Sequence, residues 1–118
     1  MSDEDLRNEL IEFQNLQQQL QILNMQKQQI QVQLTELEKA REEIGKTPEK
    51  HAMFRLVGNV FVPKDAQTLR KDLEEEKETL ELRKGGLLKQ EGKLTERVNA
   101  IRKKVEAQQG KEGASING

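Results

Sequence analysis

The chain has 118 residues, 35% charged and 33% hydrophobic, with no Trp, Tyr or Cys and a formal net charge of −1. So thin a hydrophobic share argues against a compact globular core but suits a coiled coil, whose seam needs only about two apolar residues in seven. The near-neutral balance argues against nucleic acid or an anionic membrane surface as partner, and the absence of cysteine excludes disulfides and thiolate metal sites.

No apolar run approaches the ~20 residues that a membrane helix needs. The N-terminal MSDEDLRNEL has neither a basic n-region nor an apolar h-region, so no signal peptide is expected and the protein reads as soluble and cytoplasmic.

Residues 3–45 are periodic. Leu6, Phe13, Leu20, Lys27, Leu34 and Arg41 share one heptad column, and Leu16, Leu23, Ile30, Leu37 and Ile44 share the column three residues on. Such sustained alternation predicts a coiled-coil helix, about 60 Å long at 1.5 Å per residue. Asp3, Glu4 and Asp5 suit its start, where the helix dipole favours negative charge. Lys27 and Arg41 interrupt the seam, and their stems can lie along it while the charges reach water. The glutamines between the columns are good helix formers and supply the solvated face.

Gly45 suits the position just past the helix end, and Pro48 follows as a stop signal. The only histidine, His51, has no Cys or second His to help hold a metal and reads as a solvated loop residue. Residues 53–63, MFRLVGNVFVP, change the pattern. Two β-branched and aromatic runs flank Gly58-Asn59, the signature of a β-hairpin.

Asp65 is a natural N-cap for a second helix over 66–107. Ala66, Leu73, Leu80, Leu87, Leu94 and Ile101 form its main column. The companion column carries Arg70, Lys77, Lys84 and Glu91 before Val98 and Val105. Gly85, Gly86 and Gly92 fall inside this helix, either as tolerated residues of an exposed face or as a soft point that lets it bend. Residues 108–118 read as a disordered tail. The whole of 1–107 is expected to be one domain.

A hairpin reverses the chain, so the two helices should lie antiparallel. One register sets Ile44 beside Ala66, Leu37 beside Leu73 and Leu16 beside Leu94. A three-residue shift sets Leu34 against Leu73 and Leu6 against Ile101, and the columns allow both. Either one gathers Leu6, Leu10, Phe13, Val98, Ile101 and Val105 at the free helix ends, in excess of what a two-helix seam can bury. These six are the candidate contact residues of the free helix ends.

The hairpin has a similar excess. Met53, Phe54, Leu56, Val57, Val60, Phe61 and Val62, with Gly58 at the turn, are too apolar for an isolated two-stranded sheet, which is marginal in water. Its edges are also open. Joining hairpins from several subunits into a closed sheet or barrel would answer both deficits. The expected fold is therefore mainly α with a small β element: a long antiparallel two-helix coiled coil, interrupted by one β-hairpin that oligomerises into a β-barrel hub.

The order helix, hairpin, helix, with Phe54-Arg55-Leu56-Val57-Gly58-Asn59-Val60-Phe61-Val62 as its centre, resembles the β-type subunits of prefoldin. The Gln-rich QNLQQQLQILNMQKQQ and the LEEEKETLELR at 73–83 are similar to that family's helices. The glycines at 85, 86 and 92 depart from it, since such helices usually carry polar helix formers there.

The resemblance implies a hexamer of two α-type and four β-type subunits, built on a double β-barrel platform with coiled coils hanging from it. It implies an ATP-independent holdase that takes unfolded client polypeptides at the coiled-coil tips and delivers them to a group II chaperonin. The residues themselves offer no enzyme chemistry and no cofactor site. Gly85-Gly86 lacks the strand–loop–helix setting and the Gly-Lys-Ser/Thr of a phosphate loop, and His51 has no nucleophile to serve. The alternative is a structural coiled-coil adaptor that binds one folded partner.

Overall fold

The computed structural model describes residues 2–117, with side chains described as far as residue 110. Two long helices flank one hairpin: α1 (Asp3–Lys46), β1 (Met53–Val57), β2 (Val60–Lys64) and α2 (Ala66–Asn117). The tail expected over 108–118 lies, from residue 111 on, outside the described side chains, and residues 108–110 continue α2.

The heptad columns fold as seams. In α1 the fully buried residues, Leu16, Leu23, Ile30 and Ile44, all belong to one of the two columns and are 7–8% exposed. Glu9 extends the second column toward the N-terminus and is partly buried. In α2, Leu73, Val98 and Ile101 are buried, and Lys77, Lys84 and Glu91 are partly buried in the companion column. The exception is the first turn, where Leu69 is buried and Arg70 is exposed. Entry from the hairpin turns the face by one position there.

Both helix starts are capped by side chains. Ser2 Oγ accepts from Asp5 N at 3.1 Å while Asp5 Oδ2 accepts from Ser2 N at 3.4 Å, a reciprocal box that satisfies two otherwise orphan donors. Asp65 takes the N-cap position that its sequence context predicts. Its Oδ1 accepts from Thr68 N at 2.7 Å and its Oδ2 from Thr68 Oγ1 at 2.9 Å. These bonds, the backbone one foremost, hold the Asp65 carboxyl below its ordinary pKa.

The end of α1 differs from the expectation. The helix runs through Gly45 to Lys46, and Gly45 does not take the left-handed conformation of a terminal glycine. Thr47 closes the helix instead. Its N–H donates to the carbonyls of Glu43 and Ile44 at 3.1 and 3.2 Å, and its hydroxyl donates to Glu43 O at 2.7 Å. With these carbonyls satisfied, no glycine is needed.

The chain divides into two compact units. One combines Met1–Gln26 with Gly86–Gly118, and the other is Lys27–Gly85. In the first, Leu16, Val98 and Ile101 form a buried cluster, with Phe13, Leu20, Leu94 and Val105 packed against it. In the second, Ile44, Leu69 and Leu73 are buried together, with Leu37, Ala40 and Met53 against them.

In each unit the helices run antiparallel, but neither register written from the sequence is adopted. Leu16 clusters with Val98 and Ile101, beyond Leu94, and Ile44 clusters with Leu69 and Leu73, beyond Ala66. Polar contacts fix the same offset. Lys84 Nζ donates to Gln31 Oε1 at 3.0 Å, and Arg41 Nη2 lies 3.2 Å from Glu74 Oε2. A heptad column repeats itself and so tolerates slippage; these cross-helix polar pairs select one alignment.

Candidate functional site

Two features of the fold can make contacts with other molecules: the hairpin and the helix surfaces of the terminal unit. The hairpin is antiparallel, pairing Met53 with Lys64, Phe54 with Pro63, Arg55 with Val62, Leu56 with Phe61, and Val57 with Val60. Its turn places Gly58 at φ 62°, the only positive φ among the described residues. A left-handed first turn residue that costs Gly nothing, followed by Asn at negative φ, is a II′ turn whose twist suits the strands.

Side chains alternate across a sheet, so the pairing sorts them into two faces. Met53, Arg55, Val57, Val60, Val62 and Lys64 share one. Met53 packs on the Ile44–Leu69–Leu73 cluster. Arg55 bonds Glu76 through Nη2, and Lys64 Nζ lies 3.8 Å from Asp72 Oδ2. This face is therefore bolted to α2 by two ion pairs and one methionine. Both acidic partners project from the early part of α2.

The other face carries Phe54, Leu56, Phe61 and Pro63, and among the described residues nothing covers it. Phe54 is 55% exposed and Phe61 68%. Val57 and Val60, beside the turn, are also exposed. Of the hairpin residues proposed for assembly, Met53 and Val62 thus belong to the helix-facing side, while Phe54, Leu56 and Phe61 form an open apolar face. Two strands with free outer edges complete it.

The terminal unit is more closed than its composition predicts. Ile101 has no exposed surface and Val98 has 4%, because both sit beneath Leu16 in the seam. Leu6, Phe13 and Val105 are partly buried, and of the six only Leu10, at 45%, is exposed. The expected surplus of apolar side chains at the helix ends is corrected accordingly: the adopted register absorbs most of it into the core.

An ion network lies over that core. Arg97 grips Glu12 with two of its three guanidinium nitrogens, Nε donating to Oε1 at 2.6 Å and Nη2 to Oε2 at 2.8 Å. Glu9 lies 3.6 Å from Arg97 and 3.2 Å from Lys104. The Arg97 hydrogen bond lowers the Glu12 pKa. The sequence reading missed this network, although Glu9 falls on the heptad column that Leu16 continues.

Among the described residues, no group of three or more His, Cys, Asp or Glu is placed to hold a metal. No described helix is long and apolar enough to cross a membrane. His51 is an exposed loop residue whose N–H donates to Pro48 O at 3.0 Å.

A family model described as "Prefoldin subunit" matches residues 7–112. The chain belongs to the prefoldin subunit family. Its members are chaperone components that form oligomers with one another. Prefoldin subunit beta of Thermococcus onnurineus is 39% identical over 95 residues, covering 80% of this chain and 82% of that protein. The subunit beta of Sulfurisphaera tokodaii is 36% identical over 101 residues, covering 86% and 81%. The crystal structure of the prefoldin beta subunit from Thermococcus strain KS-1 superposes with a TM-score of 0.81 at 33% identity, covering 87% of this chain and 90% of that one. The likeness is thus to β-type prefoldin subunits, with one hairpin between two long helices.

Proposed function

We propose that this chain is a β-type subunit of a cytoplasmic prefoldin hexamer, with two α-type and four β-type members, acting as an ATP-independent holdase. The observation that carries the reading is the uncovered hairpin face of Phe54, Leu56 and Phe61, on a hairpin held to α2 by Arg55 and Lys64. An apolar face of this kind, beside two open strand edges, calls for strands from other subunits. Hairpins joined edge to edge would form the β-barrel hub, and the coiled coils would carry the client-binding ends.

In this reading the free helix ends, with Leu6, Leu10, Phe13, Val98, Ile101 and Val105, hold unfolded polypeptide until transfer to a group II chaperonin. Leu10 is directly available, while Val98 and Ile101 support the surface from below. Weak, adaptable apolar contacts suit diverse clients better than one sculpted pocket would. No step asks for a nucleotide or a catalytic group.

The test is aggregation of a chemically unfolded protein diluted into buffer without ATP. The assembled complex should suppress it, and removal of residues 1–13 and 98–118 should abolish suppression while leaving the hub assembled. Suppression that survives this truncation would move client binding elsewhere. One stoichiometric folded partner in a pulldown, with no unfolded clients, would favour an adaptor instead.

A further inference from the structure

We propose that Glu9, Glu12, Arg97 and Lys104 form an ionic latch that keeps the free helix ends closed and withholds Val98 and Ile101 from clients. The inference rests on the holdase reading and concerns the regulation of that same site. Of the six residues at the helix ends, Val98 and Ile101 are buried in the seam with Leu16. So placed, they can touch only their own chain, and they become available only if the two helices part.

Charge, not apolar packing, closes the seam at this end. Glu9 stands seven residues before Leu16, in the column that Leu23, Ile30 and Ile44 continue, where an apolar side chain packs best. Its side chain is only 17% exposed. Its Oε2 is buried with no hydrogen-bond partner among the described residues, and Arg97 Nη2 stands 3.6 Å from it. A carboxylate so placed costs stability that a leucine would not. The closed state is therefore weakened at the position that seals Val98 and Ile101.

The pairs that offset this weakness all cross from α2 to α1. Arg97 holds Glu12 by two hydrogen bonds, and Lys104, seven residues on, reaches Glu9 at 3.2 Å. The side chains of Glu12, Arg97 and Lys104 are half-exposed, so water and salt reach the pairs while the apolar residues lie beneath them. Such pairs are modest in strength and are screened by ions. The contact is autoinhibitory: apolar surface at the ends stays covered, where it cannot join one complex to another, until the charges separate.

The chain has no cysteine, so one placed at position 101 reports opening without background from this subunit. Ile101→Cys is introduced into the otherwise wild-type chain, into Arg97→Gln and into Glu9→Leu. Labelling by a thiol reagent is then followed by mass spectrometry on the assembled complex. In the wild-type background it should be slow in dilute buffer and roughly fivefold faster at about 0.5 M NaCl. Arg97→Gln should label at the fast rate in both buffers. Glu9→Leu, with an apolar seam to its end, should label at the slow rate in both. Val98→Cys, buried in the same cluster, serves as reporter if Ile101→Cys fails to assemble. Without the cysteine, each complex is titrated with reduced, alkylated lactalbumin, a permanently unfolded probe. Arg97→Gln should bind it about fivefold more tightly than wild type, and Glu9→Leu more weakly.

Equal labelling in all three backgrounds, or a wild-type rate indifferent to salt, would overturn the latch. Labelling in the expected order with unchanged probe affinity would overturn its autoinhibitory role. Both results leave the holdase reading standing where wild type binds the probe and suppresses aggregation. A complex that does neither removes that reading and the inference resting on it.

Discussion

Asp65 illustrates what one residue contributes and how it can be tested. It caps α2 through two bonds to Thr68, and those bonds lower its carboxyl pKa, as Arg97 lowers that of Glu12. A depressed carboxyl stabilises the fold above its unfolded pKa, ordinarily about 3.9 for Asp and 4.3 for Glu, and that contribution is lost as pH falls through the folded value. The thermal midpoint by circular dichroism should therefore hold steady from neutral pH to about 5 and fall below about 4. In an Asp65→Ala, Glu12→Gln variant the midpoint at neutral pH should be lower and the acid-side fall shallower. An unchanged acid slope would show that neither carboxyl matters. The Asp65 cap was legible in the sequence because an Asp directly precedes a periodic run. The Ser2–Asp5 box carries a comparable local signal, which the acidic run around it obscured. The Glu12–Arg97 pair was not legible at all, since its members are far apart in sequence and meet only once the register is set.

For whole elements, the heptad columns of both helices were readable, because burial of one stripe follows directly from 3.5-residue spacing. The register was not. A repeating column gives nearly equal apolar contact in several alignments, and Arg41–Glu74 and Lys84–Gln31 favour the one adopted. That choice buried Val98 and Ile101. Ile101→Ala should accordingly cost about 3 kcal/mol in urea unfolding, whereas Ile11→Ala should stay within about 0.5. Equal costs would mean that the terminal unit is not closed over Ile101. The glycines of α2 allow a sharper test. A Cβ at Gly85 or Gly86 would meet nothing within 4 Å, and neither glycine has positive φ. No packing need explains them, so replacing both by Ala should stabilise the helix by about 1 kcal/mol per site. A loss of stability would reveal a contact that the fold does not show. A gain in stability accompanied by weaker client capture would mark the pair as a soft point kept for function.

At the level of the whole molecule, belonging to the prefoldin subunit family and carrying an uncovered hairpin face converge on assembly. The hairpin itself was legible from Gly58-Asn59 between two apolar runs. Which of its side chains face outward was not, because that depends on the pairing of Arg55 with Glu76 and Lys64 with Asp72, on the opposite side. Phe54 and Phe61 are both more than half exposed, so replacing them by Asp should leave the subunit's own fold intact and act on association alone. The decisive measurement is native mass spectrometry of the chain with an α-type partner, comparing wild type with Phe54→Asp, Phe61→Asp at equal helical content. Wild type should appear as a hexamer with four copies of this chain, and the double variant as dissociated subunits. A double variant that retains the wild-type mass would contradict the claim that this face joins the chain to its neighbours.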